Sequence, residues 1–231
     1  ALASKYEALS QIYGDDIHFI KIFRQGSREL AEKLDVTGSP TLLFYKNGEL
    51  TGDKLSGGVL RSDIMRNLDE LVGSAKAAEL HKKIKPVETE TDVVILGGGP
   101  AGLTAGIYLA QAHLKTIIVD PALPGGYVAT THMVSNYPGF IDPQPGFMLS
   151  HFMGEQAKAN GVEFRAAVEV NNVDLDCKCV KVDGFETIKA RKIIVATGSK
   201  PRPLGVPGEV EYRGNGISYC ATCDAKYFDN K

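Results

Sequence analysis

The sequence lacks the features that mark two large classes of protein. Lysine and arginine are scattered and the net charge is −2, so the basic surface expected of a nucleic-acid-binding protein is missing. No apolar run approaches the roughly 18 residues of a membrane span. The first residues also lack the charged and apolar regions of a signal peptide. We therefore expect a cytoplasmic protein with neither nucleic acid nor membrane among its partners.

Cysteine is also scarce, at four in 231 residues. Structural disulfides are rare in a reducing cytosol, and a Cys-x-x-Cys pair there indicates redox or metal chemistry. Cys220 and Cys223 form such a pair. Cys177 and Cys179, in DLDCKCVKV, share one face of a predicted strand, and we interpret them as reduced residues without a role. The histidines lie in unrelated contexts, and we predict no metal site.

The N-terminal segment alternates helix and strand patterns. Apolar spacing over residues 2–13 predicts a helix that ends near Gly14. Residues 17–23 (IHFIKIF) are rich in β-branched and aromatic types and predict a strand. Ser27 can then cap a short helix that runs through Leu34.

A hairpin and a helix follow. Asn47-Gly48 is a strong hairpin signal after an apolar strand, and the apolar stripe over residues 64–72 predicts a helix. This order, with GSPT before the hairpin, resembles a thioredoxin domain that lacks its first strand and its Cys-x-x-Cys. The resemblance covers residues 1–75 and implies that Pro40 is the cis-proline that faces the redox pair in that family.

The segment DVVILGGGPAGLTAGIYLAQAHLKTIIVD predicts a strand, a helix from Pro100 to about Ala112, and a second, parallel strand. Three glycines at the strand-to-helix turn have the G-x-G-x-x-G spacing: Gly97, Gly99 and Gly102. The first permits the tight turn, the second lets a pyrophosphate approach the backbone, and the third lets helix and strand pack closely. The helix N-terminus adds partial positive charge. Asp120 ends the second strand, where its carboxylate can accept hydrogen bonds from a ribose. The motif alone leaves FAD and NAD open.

Further motifs follow along the chain. Gly125-Gly126 and Gly198 would each let the backbone approach a long ligand. GGPAG, GGY, NYPGF and ATGSKPR together resemble the FAD domain of the two-dinucleotide-binding disulfide reductases, although Tyr127 stands where that family has glutamine. The resemblance implies FAD contacts from Gly97, Gly99, Pro100, Ala101, Gly102, Asp120, Gly125, Gly126, Asn136, Thr197 and Gly198. Tyr127 cannot make the usual glutamine contact, and we expect its ring to pack against the cofactor instead. A turn-forming role is the alternative for Asn136.

The second cysteine motif reads CATCD. A Cys-x-x-Cys disulfide at a helix start opens easily, because amides and the helix dipole stabilise a thiolate there. A zinc knuckle is the alternative, but Cys177-x-Cys179 is a poor match for the other half of one. The motif resembles the active site of low-molecular-weight thioredoxin reductases. That implies that Cys223 approaches the flavin, Cys220 attacks the substrate disulfide, and Asp224 transfers a proton.

The predicted fold is α/β, a truncated thioredoxin-like domain plus a Rossmann-like FAD-binding domain of the two-dinucleotide-binding flavoprotein type. We divide the chain into a thioredoxin-like domain (1–75), a linker on which the domains can swing (76–90), an FAD domain (91–205), and the start of a nicotinamide domain (206–231). An ordered surface helix is the alternative reading of the linker. Because the chain begins inside a helix pattern, we also expect it to be an excerpt of a longer protein.

The resemblance implies a function: electrons from a nicotinamide donor, NADPH, pass through FAD to the Cys220-Cys223 disulfide, which then reduces a thioredoxin-type acceptor. NADH, ferredoxin or another donor is the alternative source of electrons. The fused domain is the expected acceptor. One alternative is a peroxiredoxin reductase, similar to the flavoprotein component of alkyl hydroperoxide reductase. Another is a reductase whose N-terminal domain only docks a partner. By family analogy the protein is a homodimer, and the NADPH site lies outside this chain.

Overall fold

The computed structural model describes residues 2–212 and 216–220. In that part of the chain the strands form two sheets, one of two strands and one of six, and helices accompany both. The predicted α/β class is confirmed. None of the helices in the described residues is long and apolar enough to cross a membrane.

The N-terminal unit is built on an antiparallel hairpin. Its elements are α1 (Leu2–Tyr13), a 3-10 turn (Arg24–Gly26), α2 (Arg28–Lys33), β1 (Thr41–Lys46), β2 (Glu49–Ser56), α3 (Arg61–Val72) and α4 (Ser74–His81). Asn47 and Gly48 join the two strands with φ values of 55° and 85°, as a two-residue type I′ turn requires. The helices cover a core made of Leu9, Tyr13, Phe44, Val59, Ile64, Leu68 and Leu80. The predicted hairpin and both long helices are therefore present.

Residues 17–23 do not form the predicted strand. In the described part of the chain β1 pairs only with β2, so this segment has no neighbouring strand. Ile17 and Phe19 pack on the core, whereas Ile20 and Phe23 are 74% and 73% exposed. High β-propensity is not enough here, because a strand also needs a partner for its backbone N–H and C=O groups.

The segment before the hairpin agrees with the sequence in its outline. α2 starts directly after Ser27, although the Ser27 side chain makes no capping hydrogen bond. The Ser39–Pro40 peptide bond is cis, as the thioredoxin resemblance implies. The carbonyl oxygen of Pro40 accepts a hydrogen bond from the Gly57 amide at 3.2 Å, which closes the base of the hairpin.

The C-terminal unit is a six-stranded sheet in the order β5-β4-β3-β8-β7-β6. Its elements are β3 (Val87–Leu96), α5 (Pro100–Gln111), β4 (Thr116–Asp120), a 3-10 turn (Gly126–Thr130), α6 (Gly146–Ala159), β5 (Glu163–Ala166), β6 (Val170–Asp174), β7 (Cys179–Val182) and β8 (Glu186–Val195). β3 runs parallel to β4 and to β8, whereas β6, β7 and β8 are antiparallel neighbours. The predicted strand-helix-strand unit is confirmed.

Both faces of the C-terminal part of β3, residues 93–96, are buried, which explains the continuous apolar sequence there. Val93 and Ile95 lie in a core with α5 and α6, and Val94 and Leu96 lie in a second core on the opposite face. The sheet therefore holds β3 and its C-terminal end rigidly, and the glycine-rich turn follows from that end.

The predicted linker, residues 76–90, is mostly regular structure. It contains most of α4, where Ala77 and Leu80 are 5% and 0% exposed, and the first residues of β3. The sequence predicted a linker rather than a packed helix because only two apolar residues, Ala77 and Leu80, anchor α4 in the structure. The structure thus agrees with the alternative of an ordered helix; the domain boundaries themselves stay predictions.

Two side chains connect the units directly. The buried Lys5 ammonium of α1 donates to the carbonyl oxygens of Val59 and Ala167. Ser62 of α3 donates its hydroxyl to the Glu169 carboxylate at 2.6 Å. Because Lys5 is only 8% exposed, its three N–H donors need these acceptors in the folded state.

Candidate functional site

The glycine-rich turn lies between the end of β3 and the start of α5. Gly97 has φ of 106°, and a Cβ there would overlap the Ala196 carbonyl oxygen. A Cβ at Gly102 would overlap the carbonyl oxygen of Gly97. Both glycines are therefore required by the protein itself, for the turn and for the close approach of helix and strand.

Gly99 is different. Its φ of −75° suits any residue, and the nearest atom to an added Cβ would be the Gly126 Cα, at an ordinary 3.7 Å. Neither backbone conformation nor packing within the described residues requires glycine at this position. A ligand lying against the backbone would supply that requirement.

The start of α5 is suited to an anion. Gly99 is the N-cap and offers no capping side chain, Pro100 is the first helical residue, and the first turn holds no acidic residue. The amides of Ala101 and Gly102 have no acceptor within the helix, because the first N–H groups of any helix lack one. These donors and the helix dipole favour a pyrophosphate over a cation.

Asp120 is held at the end of β4, next to the turn. The residue is 9% exposed. Its carboxylate accepts hydrogen bonds from the Gly98 amide at 2.5 Å and the Ala122 amide at 2.7 Å. From the sequence we predicted only a ribose contact for this carboxylate. In the structure it also fixes the glycine-rich turn, and each oxygen keeps a lone pair for a further donor.

The second glycine pair packs directly on the first turn. The Gly125 amide donates to the Gly98 carbonyl oxygen at 2.7 Å. A Cβ at Gly126 would lie 2.8 Å from the Gly99 Cα. The next residue, Tyr127, is 43% exposed on the 3-10 turn. The close packing of the two turns therefore requires glycine at these positions, which the sequence alone did not show.

The end of β8 completes the group. The Ala196 amide donates to the Leu96 carbonyl oxygen at 2.8 Å, and a Cβ on Gly97 would lie 3.0 Å from the Thr197 Cα. Gly198 has φ of 66° and is exposed. Asn136, by contrast, lies in an exposed loop, and none of the hydrogen bonds found in the described residues joins it to the glycine turns.

Comparison with known proteins agrees with this geometry. Residues 91–231 match the family model described as pyridine nucleotide-disulphide oxidoreductase, and residues 1–70 match the thioredoxin model.

The chain belongs to the pyridine nucleotide-disulphide oxidoreductase family.

Its similar relatives in this family include two bacterial thioredoxin reductases. The one from Peptoclostridium acidaminophilum is 43% identical over 145 residues, 62% of this chain and 46% of the relative. The one from Bacillus subtilis (strain 168) is 44% identical over 142 residues, 61% and 44% of the two chains. This chain therefore spans less than half the length of these relatives.

Solved structures give the same result. Thioredoxin reductase from Giardia duodenalis matches with a TM-score of 0.55 and 35% identity, over 60% of this chain and 45% of that one. The thioredoxin reductase from Streptococcus pyogenes MGAS5005 matches with a TM-score of 0.54 and 38% identity, with the same coverage.

Of the predicted redox motif, only the first cysteine lies among the described residues. Cys220 is disulfide-bonded, and its amide donates to the Ser218 hydroxyl oxygen at 3.1 Å. Cys223 and Asp224 lie outside the described residues. Their predicted roles therefore stay predictions.

The other two cysteines differ from expectation. Cys177 lies in the turn between β6 and β7, not on a strand, and it forms a disulfide with Cys179. DLDCKCVKV has the composition of one strand, which is why the turn that brings the two sulfur atoms together was not predicted. Groups of three or more metal-ligating side chains do not occur in the described residues.

A cluster of polar groups that no sequence pattern indicates lies in the N-terminal unit. The Tyr13 hydroxyl donates to the Asp69 carboxylate at 2.6 Å, and His81 Nε2 lies 3.0 Å from the same oxygen. Burial and the neighbouring carboxylate raise the pKa of Tyr13 above its ordinary value. The three residues are far apart in the chain, so spacing could not reveal them.

Asp69 and His81 line a cleft of about 660 Å³ between the two units. Arg61 and Asp183 also line it, and none of its lining residues belongs to the glycine turns. Burial lowers the pKa of Arg61 and raises that of Asp183, while each charge partly offsets the effect on the other. This cleft is therefore separate from the candidate site.

Proposed function

We propose that this chain carries the FAD-binding site of a flavin-dependent disulfide reductase of the thioredoxin reductase type. The observation that carries the proposal is Gly99, a glycine that the protein's own conformation and packing do not require. It lies between two features that favour a dinucleotide: the unpaired first amides of α5 and the Asp120 carboxylate.

The residues present fit an FAD. Ala101 and Gly102 would donate their amides to its pyrophosphate, and Asp120 would accept from its ribose. The remaining contacts that we propose come from residues around the two turns and the end of β8: Gly97, Pro100, Gly125, Gly126, Tyr127, Asn136, Thr197 and Gly198. When bound, FAD supplies two-electron transfer between a nicotinamide donor, which we take to be NADPH, and a disulfide.

The chain's own cysteines would carry out the exchange with substrate. In the reduced state Cys220 would attack a substrate disulfide, Cys223 would resolve the mixed disulfide, and Asp224 would hold or deliver the proton that the thiols exchange. The relatives named above are thioredoxin reductases, which supports a thioredoxin or thioredoxin-like domain as the substrate. That the enzyme acts as a cytoplasmic homodimer is part of the proposal and rests on family analogy alone.

The role of the N-terminal unit has two candidates. A thioredoxin-like acceptor fused to its reductase would gain a high effective concentration. The hydrogen bonds of Lys5 to Ala167 and of Ser62 to Glu169 hold this unit against the flavin unit, which favours a docking module instead. A peroxiredoxin is the alternative final acceptor.

The test is disulfide reduction by the full-length protein. With NADPH and a separate thioredoxin, we expect steady NADPH oxidation that Cys220→Ser abolishes while the flavin spectrum is retained. The double variant Lys5→Ala/Ser62→Ala removes both hydrogen-bonded contacts between the units and separates the two roles. Faster turnover without added thioredoxin supports the fused acceptor, and unchanged turnover supports docking. A protein that oxidises NADPH equally well after Cys220→Ser would contradict the proposed cysteine role.

A further inference from the structure

The turn between β6 and β7 carries a second cysteine pair outside the site described above. Cys177 and Cys179 form a disulfide, with their Cα atoms 5.4 Å apart. That separation falls within the roughly 4.4–6.8 Å range of ordinary disulfides. The backbone of this turn therefore allows a disulfide between the two residues.

Three features fix this turn. The Asp174 carboxylate accepts hydrogen bonds from the amides of Asp176 and Cys177, at 2.9 and 3.1 Å. Lys178, between the cysteines, has φ of 56°. Its carbonyl oxygen accepts from the Ala190 amide of β8 at 3.0 Å. A turn held in this way raises the effective concentration of one sulfur at the other, which favours an intramolecular disulfide.

The pair is accessible and separate from the candidate flavin site. Cys177 is exposed, and Cys179 is half-buried at the start of β7. Ala190, to which the turn is bonded, lies six residues before Ala196 along β8, roughly 20 Å at about 3.3 Å per residue. A small thiol in solution can therefore reach Cys177 without entering the flavin site.

We propose that Cys177 and Cys179 form a second redox couple, which exchanges with small-molecule thiols independently of Cys220. In the reducing direction a thiolate attacks Sγ of Cys177, the Cys177–Cys179 bond breaks, and Cys179 leaves as a thiolate that takes up a proton. A second thiol then attacks the mixed disulfide and releases Cys177. Two small thiols become one disulfide, and two electrons and two protons pass to the protein.

The experiment uses a Cys220→Ser/Cys223→Ser variant of the full chain, so that only this pair can react. The protein is equilibrated at graded ratios of reduced to oxidised glutathione, quenched in acid, alkylated, and analysed by peptide mass spectrometry. We expect an intramolecular disulfide in oxidised buffer and two alkylated cysteines in reduced buffer, with a single midpoint. Two alkylated cysteines at every ratio, or a disulfide that reduced glutathione never opens, would overturn the proposal.

Two further variants test the turn. Asp174→Ala removes the acceptor that fixes the turn. We expect the ratio of reduced to oxidised protein to rise by about fivefold at a given glutathione ratio. Asp176→Ala is the matched control, because it removes the same charge from the same turn while its carboxylate accepts none of the hydrogen bonds seen in the described residues. In Cys177→Ser, we expect Cys179 to form only a glutathione adduct. Equal shifts in the two aspartate variants would refute the role of the turn.

Discussion

Gly99 offers a way to separate ligand binding from folding. An alanine there would meet its nearest protein atom at 3.7 Å, with a φ of −75° that alanine readily adopts. Because Gly99 is the N-cap of α5, where alanine is less favourable than glycine, we expect Gly99→Ala to lower the free energy of unfolding of the flavin-free protein by no more than about 1 kcal/mol. A bound dinucleotide, however, would have to move away from the added methyl group. Overpacking of this kind costs about 1–3 kcal/mol, or at least about fivefold in Kd.

The assay is paired on the same samples. Thermal unfolding of the flavin-free protein gives the stability, and titration with FAD followed by flavin fluorescence gives the Kd. Gly154→Ala in α6 is the matched control, because its added Cβ also meets only one atom, Pro124 Cβ at 4.0 Å. Because alanine is favoured over glycine inside a helix, we expect Gly154→Ala to raise the free energy of unfolding by about 0.5–1 kcal/mol. The Kd for FAD should not change.

Two results would refute this reasoning. If Gly99→Ala destabilises the flavin-free protein as strongly as Gly102→Ala, which places a methyl group against the Gly97 carbonyl oxygen, then the glycine is structural. If Gly99→Ala binds FAD as tightly as the wild type, the ligand does not lie against this turn.

Three other changes test the fold. Gly48→Ala, at φ of 85° in the hairpin, should cost about 1–2 kcal/mol in chemical unfolding; an unchanged midpoint would contradict the turn geometry. The pKa of Tyr13 in the folded state lies above its ordinary value, so Tyr13 contributes stability below about pH 10 that is lost as the pH rises toward the folded pKa. In Tyr13→Phe we expect a smaller loss of unfolding free energy between pH 8 and 11. An equal loss in the variant and the wild type would refute this role of Tyr13. Lys5→Ala leaves the buried carbonyl oxygens of Val59 and Ala167 without their donor. We expect it to lower the free energy of unfolding by about 1–3 kcal/mol and to speed proteolysis between the units. A rate of proteolysis equal to that of the wild type would argue against this contact.

Local patterns predicted the elements that carry the glycine turns. The buried end of β3 and β4 could be predicted because a parallel strand buried on both faces has a continuous apolar sequence. The start of α5 could be predicted because the helix begins at a proline. The Asn47-Gly48 hairpin was readable because few sequences adopt two successive positive φ values.

Features that depend on contacts between residues far apart in the sequence could not be predicted from local patterns. Residues 17–23 have the composition of a strand, but strand formation depends on a neighbour that the segment itself does not encode. The contact of Gly126 with Gly99 and the hydrogen bond of Gly98 to Asp120 each join residues more than 20 positions apart. The cysteine turn was missed because Lys178 at positive φ interrupts an otherwise strand-like pattern.

The most direct test of the central claim is an anaerobic titration of the full-length protein with NADPH, followed by the visible absorption of the flavin. We predict a flavin spectrum in the isolated protein that bleaches at stoichiometric NADPH, because on our proposal the glycine turns, the α5 amides and Asp120 would together hold FAD. A protein that contains no flavin, and takes up none when FAD is added, would contradict the account.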